Sequence, residues 1–258
     1  MAVSSIFRTL AHRGPLTFVA GLGGLVAQGY YAGHRLLPHF LDQDGSGSFG
    51  PTDAVPIRLV AIGDSMLTGP GLIDPEDQWI RQAIERLPDL YRVELVVLAR
   101  GGSRTRDIRR EQLDDAMALK PDVAIISAGS NDAIRGVSLR VIRADIEYMA
   151  GSLATVASTV ILTGVGDMGA IPRIPQPLAA ACSWRSWGAD RVHAQVAARR
   201  RNIVNLPMWE EGSEPFRADP NLFTSDLFHP NAGGQAVWAD LGYPVIAAAF
   251  RKSTRGER

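Results

Sequence analysis

Short apolar runs of strand character alternate with helical stretches along this chain from residue 57 onward. Such an alternation is typical of α/β folds, in which helices cover both faces of a mostly parallel sheet. Strands are predicted near residues 57–62, 93–98, 123–128, 159–163 and 202–206. Helices are predicted near residues 75–87, 105–119, 138–157, 188–200 and 232–250.

Five strands joined by helices favour the doubly wound order 2-1-3-4-5. The sequence therefore predicts a three-layer α/β/α sandwich around a flavodoxin-like five-stranded parallel sheet. In this order strands 1 and 3 diverge at a switch point, and ligands bind beyond the carboxyl ends of the strands there. Residues that follow strands 1 and 3 are the first candidates for a functional site.

The first predicted strand ends abruptly at Gly63-Asp64-Ser65, which would hold the Ser65 hydroxyl at the carboxyl end of that strand. A serine in this place is a candidate nucleophile. Serine is a weak nucleophile unless a base takes its proton and donors stabilise the resulting oxyanion. The alternative is that Ser65 only caps the following helix.

A candidate base lies near the other end of the chain, in Asp226-Leu227-Phe228-His229-Pro230. Asp226 would accept the Nδ1 proton of His229 and leave Nε2 facing Ser65. The other histidines lack such a neighbour, and His193, which lies among arginines, is expected to face solvent.

Two glycine-containing turns follow the second and third predicted strands and are candidates for the oxyanion donors. The first contains Gly101 and Gly102, and the second is Gly129-Ser130-Asn131-Asp132. A backbone N–H of the first turn, the Asn131 amide and the Ser65 N–H would together make three donors. Asp64 and Asp132 are interpreted as turn residues.

These four blocks, in this order, resemble the SGNH (GDSL) hydrolases over about residues 57 to 250. They are Gly-Asp-Ser, a glycine in the second block, Gly-x-Asn-Asp and Asp-x-x-His-Pro. The resemblance implies ester hydrolysis with Ser65, His229 and Asp226 as a catalytic triad. It implies Ser65, Asn131 and Gly102 as oxyanion donors, with Gly101 as the alternative to Gly102.

Two departures bear on this resemblance, and one is the doubled glycine of the second block, Gly101 and Gly102. Met66 stands where these hydrolases usually have leucine, which conserves volume. The α/β-hydrolase nucleophile elbow is disfavoured, because Gly-x-Ser-x-Gly would need a glycine where Leu67 stands.

Residues 15–33 carry no charged side chain and have nearly the length of a membrane-spanning helix. Three interpretations stay open: an uncleaved signal anchor, a cleaved signal peptide, and a helix packed on the following domain. Arginines before the segment favour an N-terminus inside the cell, which would put the catalytic domain outside the cytoplasm, either membrane-anchored or secreted. A cytoplasmic location is the alternative.

Four regions are expected along the 258 residues. They are an N-terminal hydrophobic segment (1–41), a flexible Gly- and Ser-containing linker (42–56), the hydrolase domain (57–252) and a polar tail (253–258). Residues 164–177 form a Pro-rich loop that is either a wall or lid of the site or an ordinary connection whose following tryptophans cover the core.

Charge and cysteine content limit the partners. Lys and Arg number 27 and Asp and Glu number 27, so no overall field points to nucleic acid. The single cysteine, Cys182, cannot form an intramolecular disulfide, and no Cys/His spacing indicates a metal site. The expected function is hydrolysis of small-molecule or lipid esters without a cofactor. Acyl transfer by the same triad and a non-catalytic envelope binding module are the alternatives, and the oligomeric state is not predicted.

Overall fold

The computed structural model describes residues 23–255 and contains one six-stranded sheet in the order β1-β3-β2-β4-β5-β6. The strands are β1 Gly47–Phe49, β2 Val55–Gly63, β3 Tyr91–Val97, β4 Val123–Ser127, β5 Thr159–Thr163 and β6 Ile203–Leu206. The last five are parallel to their neighbours, and β1 pairs antiparallel with β3 at one edge.

The five predicted strands and their order are confirmed, because β3-β2-β4-β5-β6 is the order 2-1-3-4-5. The sheet differs from the predicted five parallel strands only at one edge, where β1 adds a sixth, antiparallel strand. β1 comes from the segment predicted to be a flexible linker, and Gly47-Ser48-Phe49 has no apolar run that would predict a strand. Its pairing with the edge of β3, rather than its own propensity, decides its conformation.

Helices cover both faces of the sheet. Residues 23–34 are the described part of helix α1. The other helices are α2 Ser65–Thr68, α3 Trp79–Glu85, α4 Thr105–Glu111, α5 Leu113–Ala118, α6 Ser130–Ile134, α7 Leu139–Leu153, α8 Leu178–Ala197, α9 Glu214–Ala218 and α10 Ala232–Thr254. Short 3-10 turns lie at Pro75–Asp77, Met168–Ala170 and Pro220–Leu222.

Alternate residues of the central strands face two separate cores. Leu59 and Ala61 of β2 pack with α3 and α10 on one face, whereas Val60 and Ile62 pack with α4, α5, α7 and α8 on the other. β4 and β5 are buried along their whole length, as expected for strands covered on both faces. The three-layer α/β/α architecture is therefore as predicted.

Helix α8 begins ten residues before its predicted start near residue 188, at Leu178. Its first turn, Leu178-Ala179-Ala180-Ala181, consists of strong helix formers, so local propensity supports the longer helix. The expectation for His193 on this helix is wrong, because its side chain is fully buried. A period of four residues places it on the same face as buried Ala189 and Ala197.

The predicted hydrophobic segment 15–33 lies partly outside the described residues. Within residues 23–255, the structure has no helix whose length and apolar character suffice for crossing a membrane. The described part of the segment, in α1, packs against the α/β domain. The Nε2 of Gln28 donates to the Gln176 carbonyl at 2.8 Å, and Oε1 of Gln28 accepts from Leu178 N at 3.1 Å.

Candidate active site

Ser65 is the first residue of α2, directly after β2. The strand ends at Gly63, whose backbone N–H and carbonyl both bond the side chain of Gln112, at 2.8 and 3.0 Å. A Cβ on Gly63 would come within 2.3 Å of the Ser127 carbonyl oxygen on β4, so only glycine fits there. This close approach of β2 and β4 places Ser65 at the switch point of the sheet.

Asp64 does more than turn the backbone. Its fully buried carboxyl accepts from Met66 N at 3.1 Å, which caps α2, and from Asn131 Nδ2 at 3.2 Å. Burial raises the pKa of Asp64 to about 6, against the opposing effect of these two hydrogen bonds. The nucleophile turn and the Asn131 turn are thus joined by one carboxyl group.

Asp226 and His229 lie on one tight loop between α9 and α10. Oδ2 of Asp226 is 2.6 Å from Nδ1 of His229. Its Oδ1 accepts from the Thr224 hydroxyl and from the backbone N–H groups of Phe228 and His229, at 2.7 to 2.9 Å. Leu227, with φ 58°, provides the left-handed residue that this turn needs.

The charge on Asp226 is stabilised by its hydrogen bonds. Burial alone would raise the pKa of this carboxyl, but the bonds from the His229 ring and N–H and from Thr224 hold it well below its ordinary value. An ionised Asp226 fixes the Nδ1 proton of His229 and leaves Nε2 free to accept a proton.

The two glycines of the turn after β3, Gly101 and Gly102, differ in their hydrogen bonds. The N–H of Gly101 donates to Asp42 Oδ2 at 2.8 Å, whereas Gly102 N has no hydrogen-bond partner among residues 23–255. Gly102 has φ 75° and lines the cavity described below, which Gly101 does not. Only the Gly102 N–H is therefore available to a ligand.

Asn131 lies in the short helix α6 directly after β4, and Gly129 before it has φ 110°. Asp132, which was interpreted as a turn residue, links this turn to the start of α4. Its carboxyl accepts from the N–H and the hydroxyl of Thr105 at 2.8 and 2.9 Å. The turns that follow β3 and β4 are thereby held in a fixed position relative to each other.

One cavity of about 880 Å³ connects these turns. All five predicted site residues line it: Ser65, Gly102, Asn131, Asp226 and His229. Within the described chain, the Ser65 hydroxyl and His229 share this cavity without a direct hydrogen bond. Such contacts are often long before substrate binds and tighten in the complex.

Helix α1 forms one wall of the cavity, which the sequence did not predict. Its contributions are apolar or small: Leu25, Val26, Gly29, Ala32 and Gly33. The Pro-rich loop adds Ile174 and Arg173, and Arg173 Nε donates to the Ala32 carbonyl at 2.7 Å. Part of this loop is thus a wall of the cavity, while Trp184 and Trp187 are exposed and do not line it.

Three arginines, Arg135, Arg173 and Arg185, also line the cavity and were not singled out from the sequence. They lie in the turn after α6, in the loop before α8 and within α8, so only the tertiary fold brings them together. No group of three or more His, Cys, Asp or Glu side chains within residues 23–255 is arranged to hold a metal ion.

Comparison with known proteins agrees with this geometry. A model of the GDSL-like lipase/acylhydrolase family matches residues 61–237. The chain belongs to this family. A GDSL-like esterase of Mycobacterium tuberculosis is 31% identical over an alignment of 203 residues that covers 75% of this chain. The match spans only 63% of that relative's length.

Solved structures support the same fold. TesA has a TM-score of 0.60 at 22% identity, covering 74% of this chain and 99% of TesA. The psychrotrophic esterase EstA from Pseudoalteromonas, solved with monoethylphosphonate as inhibitor, has a TM-score of 0.58 at 18% identity. The alignment covers 75% of this chain and 98% of EstA. A lipase/acylhydrolase from Enterococcus faecalis has a TM-score of 0.57 at 20% identity, and the alignment covers 74% of this chain and 96% of that protein. At these identities the likeness establishes the fold alone.

Proposed function

We propose that this protein hydrolyses carboxylic esters through an acyl-enzyme formed on Ser65. His229 Nε2 takes the proton of Ser65 as the hydroxyl oxygen attacks the ester carbonyl, and ionised Asp226 stabilises the imidazolium that forms. His229 then protonates the leaving alcohol. Water cleaves the acyl-enzyme by the same steps in reverse, which restores Ser65 and releases the acid.

The tetrahedral intermediates carry a negative charge on the former carbonyl oxygen. We assign its stabilisation to the backbone N–H groups of Ser65 and Gly102 and to the side-chain amide of Asn131. Two of these donors, Ser65 N and Gly102 N, have no hydrogen-bond partner among residues 23–255. The amide of Asn131 bonds Asp64 through one N–H and keeps the second for the oxyanion.

The observation that carries the proposal is the Asp226–His229 pair in the cavity that also contains Ser65. A carboxylate 2.6 Å from Nδ1, with a lowered pKa, makes His229 an oriented base. The base, the serine and three oxyanion donors all line one cavity at the switch point of the sheet, which is the arrangement that acyl transfer needs.

The apolar wall formed by α1 and Ile174 favours substrates with an acyl chain, such as lipid esters or other small acyl esters. The location of the site outside the cytoplasm stays a prediction, since it rests on residues 15–33 and on the charges before them. Acyl transfer to an acceptor other than water would use the same residues. It is tested by adding an alcohol or a sugar and measuring the acyl ester that forms on it.

Covalent labelling with a fluorophosphonate probe tests the proposal, because such probes react with activated serines. We expect the wild-type protein to be labelled, and Ser65→Ala and His229→Ala to lose labelling. Ser130→Ala is the matched control, because Ser130 is a buried serine close to the site with no role in the steps above.

Equal labelling of Ser65→Ala and the wild type would remove Ser65 as the nucleophile. Absence of labelling in a folded wild-type protein would contradict the enzyme proposal and favour the alternative of a binding module that keeps the cavity.

A further inference from the structure

The cavity contains an excess of positive charge that the proposed acyl chemistry does not use. Arg135, Arg173 and Arg185 line it, and no Asp or Glu oxygen of residues 23–255 lies within 4.0 Å of their guanidinium nitrogens. The carboxylate among the lining residues is Asp226, which is committed to His229. The cavity is therefore cationic beside the catalytic residues.

Backbone carbonyl groups hold two of these arginines in place. Arg185 Nε donates to the Ala133 carbonyl at 2.8 Å, and a second nitrogen donates to the Val137 carbonyl. Arg173 donates to Ala32 of α1. A carbonyl dipole orients a guanidinium group without neutralising it, so the positive charges of both side chains remain available to a ligand.

Arg135 is the least constrained of the three and the nearest to the proposed oxyanion donors. Its guanidinium makes no hydrogen bond to another residue of the described chain. One of its terminal nitrogens lies 3.6 Å from the place that a Cβ on Gly102 would occupy. The nearby carboxyl group of Asp107 pairs with Arg104 at 3.1 Å. The charge of Arg135 is only the smallest of the effects that lower the pKa of Asp107.

Several other arginines of this protein have carboxylate partners. Arg109 pairs with Asp145 at 3.0 Å, and Arg217 pairs with Asp167 at 2.7 Å. Three guanidinium groups in one cavity without such partners give it a positive potential, which favours a bound anion. The planar guanidinium group is also the side chain best suited to phosphate and carboxylate.

We propose that the substrate is an ester whose alcohol part carries an anionic group, a phosphate or a carboxylate, bound by Arg135 with Arg185 beside it, since Arg185 bonds the carbonyl groups of Ala133 and Val137 on either side of Arg135 in the chain. This inference rests on the proposed function and names its substrate class. The apolar wall of α1 and Ile174 takes the acyl chain, so the anionic group belongs to the opposite side of the scissile bond, next to Gly102. Arg135 is the main specificity-determining residue.

Three octanoyl esters that differ in one group test this proposal on the full chain. They are 1-octanoylglycerol, which is neutral, 3-O-octanoylglycerate, which carries a carboxylate, and 1-octanoylglycerol 3-phosphate. The measured quantity is the ratio of kcat/KM for each anionic ester to kcat/KM for the neutral ester. We expect this ratio to exceed one in the wild type and to fall about tenfold or more in Arg135→Gln, the loss typical of a charge-assisted hydrogen bond. The anionic ester with the larger ratio shows whether the site prefers a phosphate or a carboxylate.

Two further variants separate charge at the site from charge in general. Arg135→Lys keeps the charge and should recover part of the ratio. Arg251→Gln removes an equal charge at the far end of α10 and should leave the ratio unchanged. Thermal unfolding of Arg135→Gln near the wild-type temperature would show that the altered ratio does not come from misfolding.

The outcomes distinguish this inference from the proposed function. Hydrolysis of all three esters at equal kcat/KM, with no change of the ratio in Arg135→Gln, would overturn the anionic substrate class and leave the esterase mechanism standing. Failure to hydrolyse any ester, together with failure of fluorophosphonate labelling, would overturn the mechanism itself.

Discussion

Two buried aspartates beside the same cavity differ in the pKa of their carboxyl groups. Asp226, on the loop before α10, has a pKa well below its ordinary value, whereas Asp64, on the turn after β2, has its pKa raised to about 6. Their side chains are both almost fully inaccessible to solvent. Asp64 lies deeper among protein atoms than Asp226, so burial raises its pKa more.

The number of donors around each carboxyl group adds to the difference between the two pKa values. Asp226 accepts four hydrogen bonds, from the hydroxyl of Thr224, from the N–H groups of Phe228 and His229, and from the His229 ring. Asp64 accepts two, and Asp132 nearby raises its pKa further. Asp226, in the loop that orients the base, is thus ionised before substrate binds, while the carboxyl group of Asp64 in the nucleophile turn titrates near pH 6.

The largest effect is expected from Asp226→Asn. The amide would donate to His229 Nδ1 and move the ring proton to Nε2, where it blocks acceptance of the Ser65 proton. We expect kcat to fall about 10⁴-fold, measured by steady-state hydrolysis. Thr224→Val is the matched control, because it removes one of the four donors to Asp226 and leaves the charge of that carboxylate. The decrease of kcat in this variant should be far smaller. A kcat within tenfold of wild type in Asp226→Asn would show that Asp226 does not set the tautomer.

Asn131→Ala should produce the next largest loss. It removes one oxyanion donor and leaves Asp64 with a single hydrogen bond. We expect kcat and kcat/KM to fall together by about 10² to 10³, since the interaction is made in the transition state. Ser130→Ala, in the same turn, should retain activity. Full activity of Asn131→Ala would exclude its side chain from the mechanism.

Much of the fold and of the predicted site could be read from local sequence because each feature depends on a short segment. Central parallel strands are continuous apolar runs, and each predicted site residue belongs to a turn that directly follows a strand or precedes the last helix. Strand β1 could not be predicted in this way, since three residues without an apolar pattern gain their structure from the edge of β3.

The wall and the charge of the cavity depend on contacts between distant segments. The side chain of Gln28 docks α1 onto the loop at residues 176–178, far away in the sequence. Arg173 and Arg185 read as ordinary loop and helix residues until the fold brings them to Arg135. His193 was the avoidable error, because its helical spacing from Ala189 and Ala197 predicts a buried face.

Asp64→Asn tests the carboxyl group with the raised pKa and should have the smallest effect on rate. An asparagine has one oxygen acceptor, so it serves either Met66 N or Asn131 Nδ2 well, and we expect kcat to fall about tenfold or less. The pH dependence of stability is the sharper measurement. Because the folded pKa of Asp64 lies above its unfolded value near 3.9, its stabilising contribution is complete below pH 4 and is lost as pH rises through about 6.

Relative to wild type, Asp64→Asn should therefore gain up to about 2 kcal/mol in the free energy of unfolding between pH 4.5 and 7, measured by urea denaturation. Comparison with wild type at each pH removes the contributions of Asp190 and His193, which titrate in both proteins. Asp226→Asn should differ from wild type by a constant amount over the same range, because the lowered pKa of Asp226 keeps it ionised in the folded state throughout. A constant difference for Asp64→Asn as well would mean that Asp64 is ionised like Asp226, and the contrast between the two carboxyl groups would disappear.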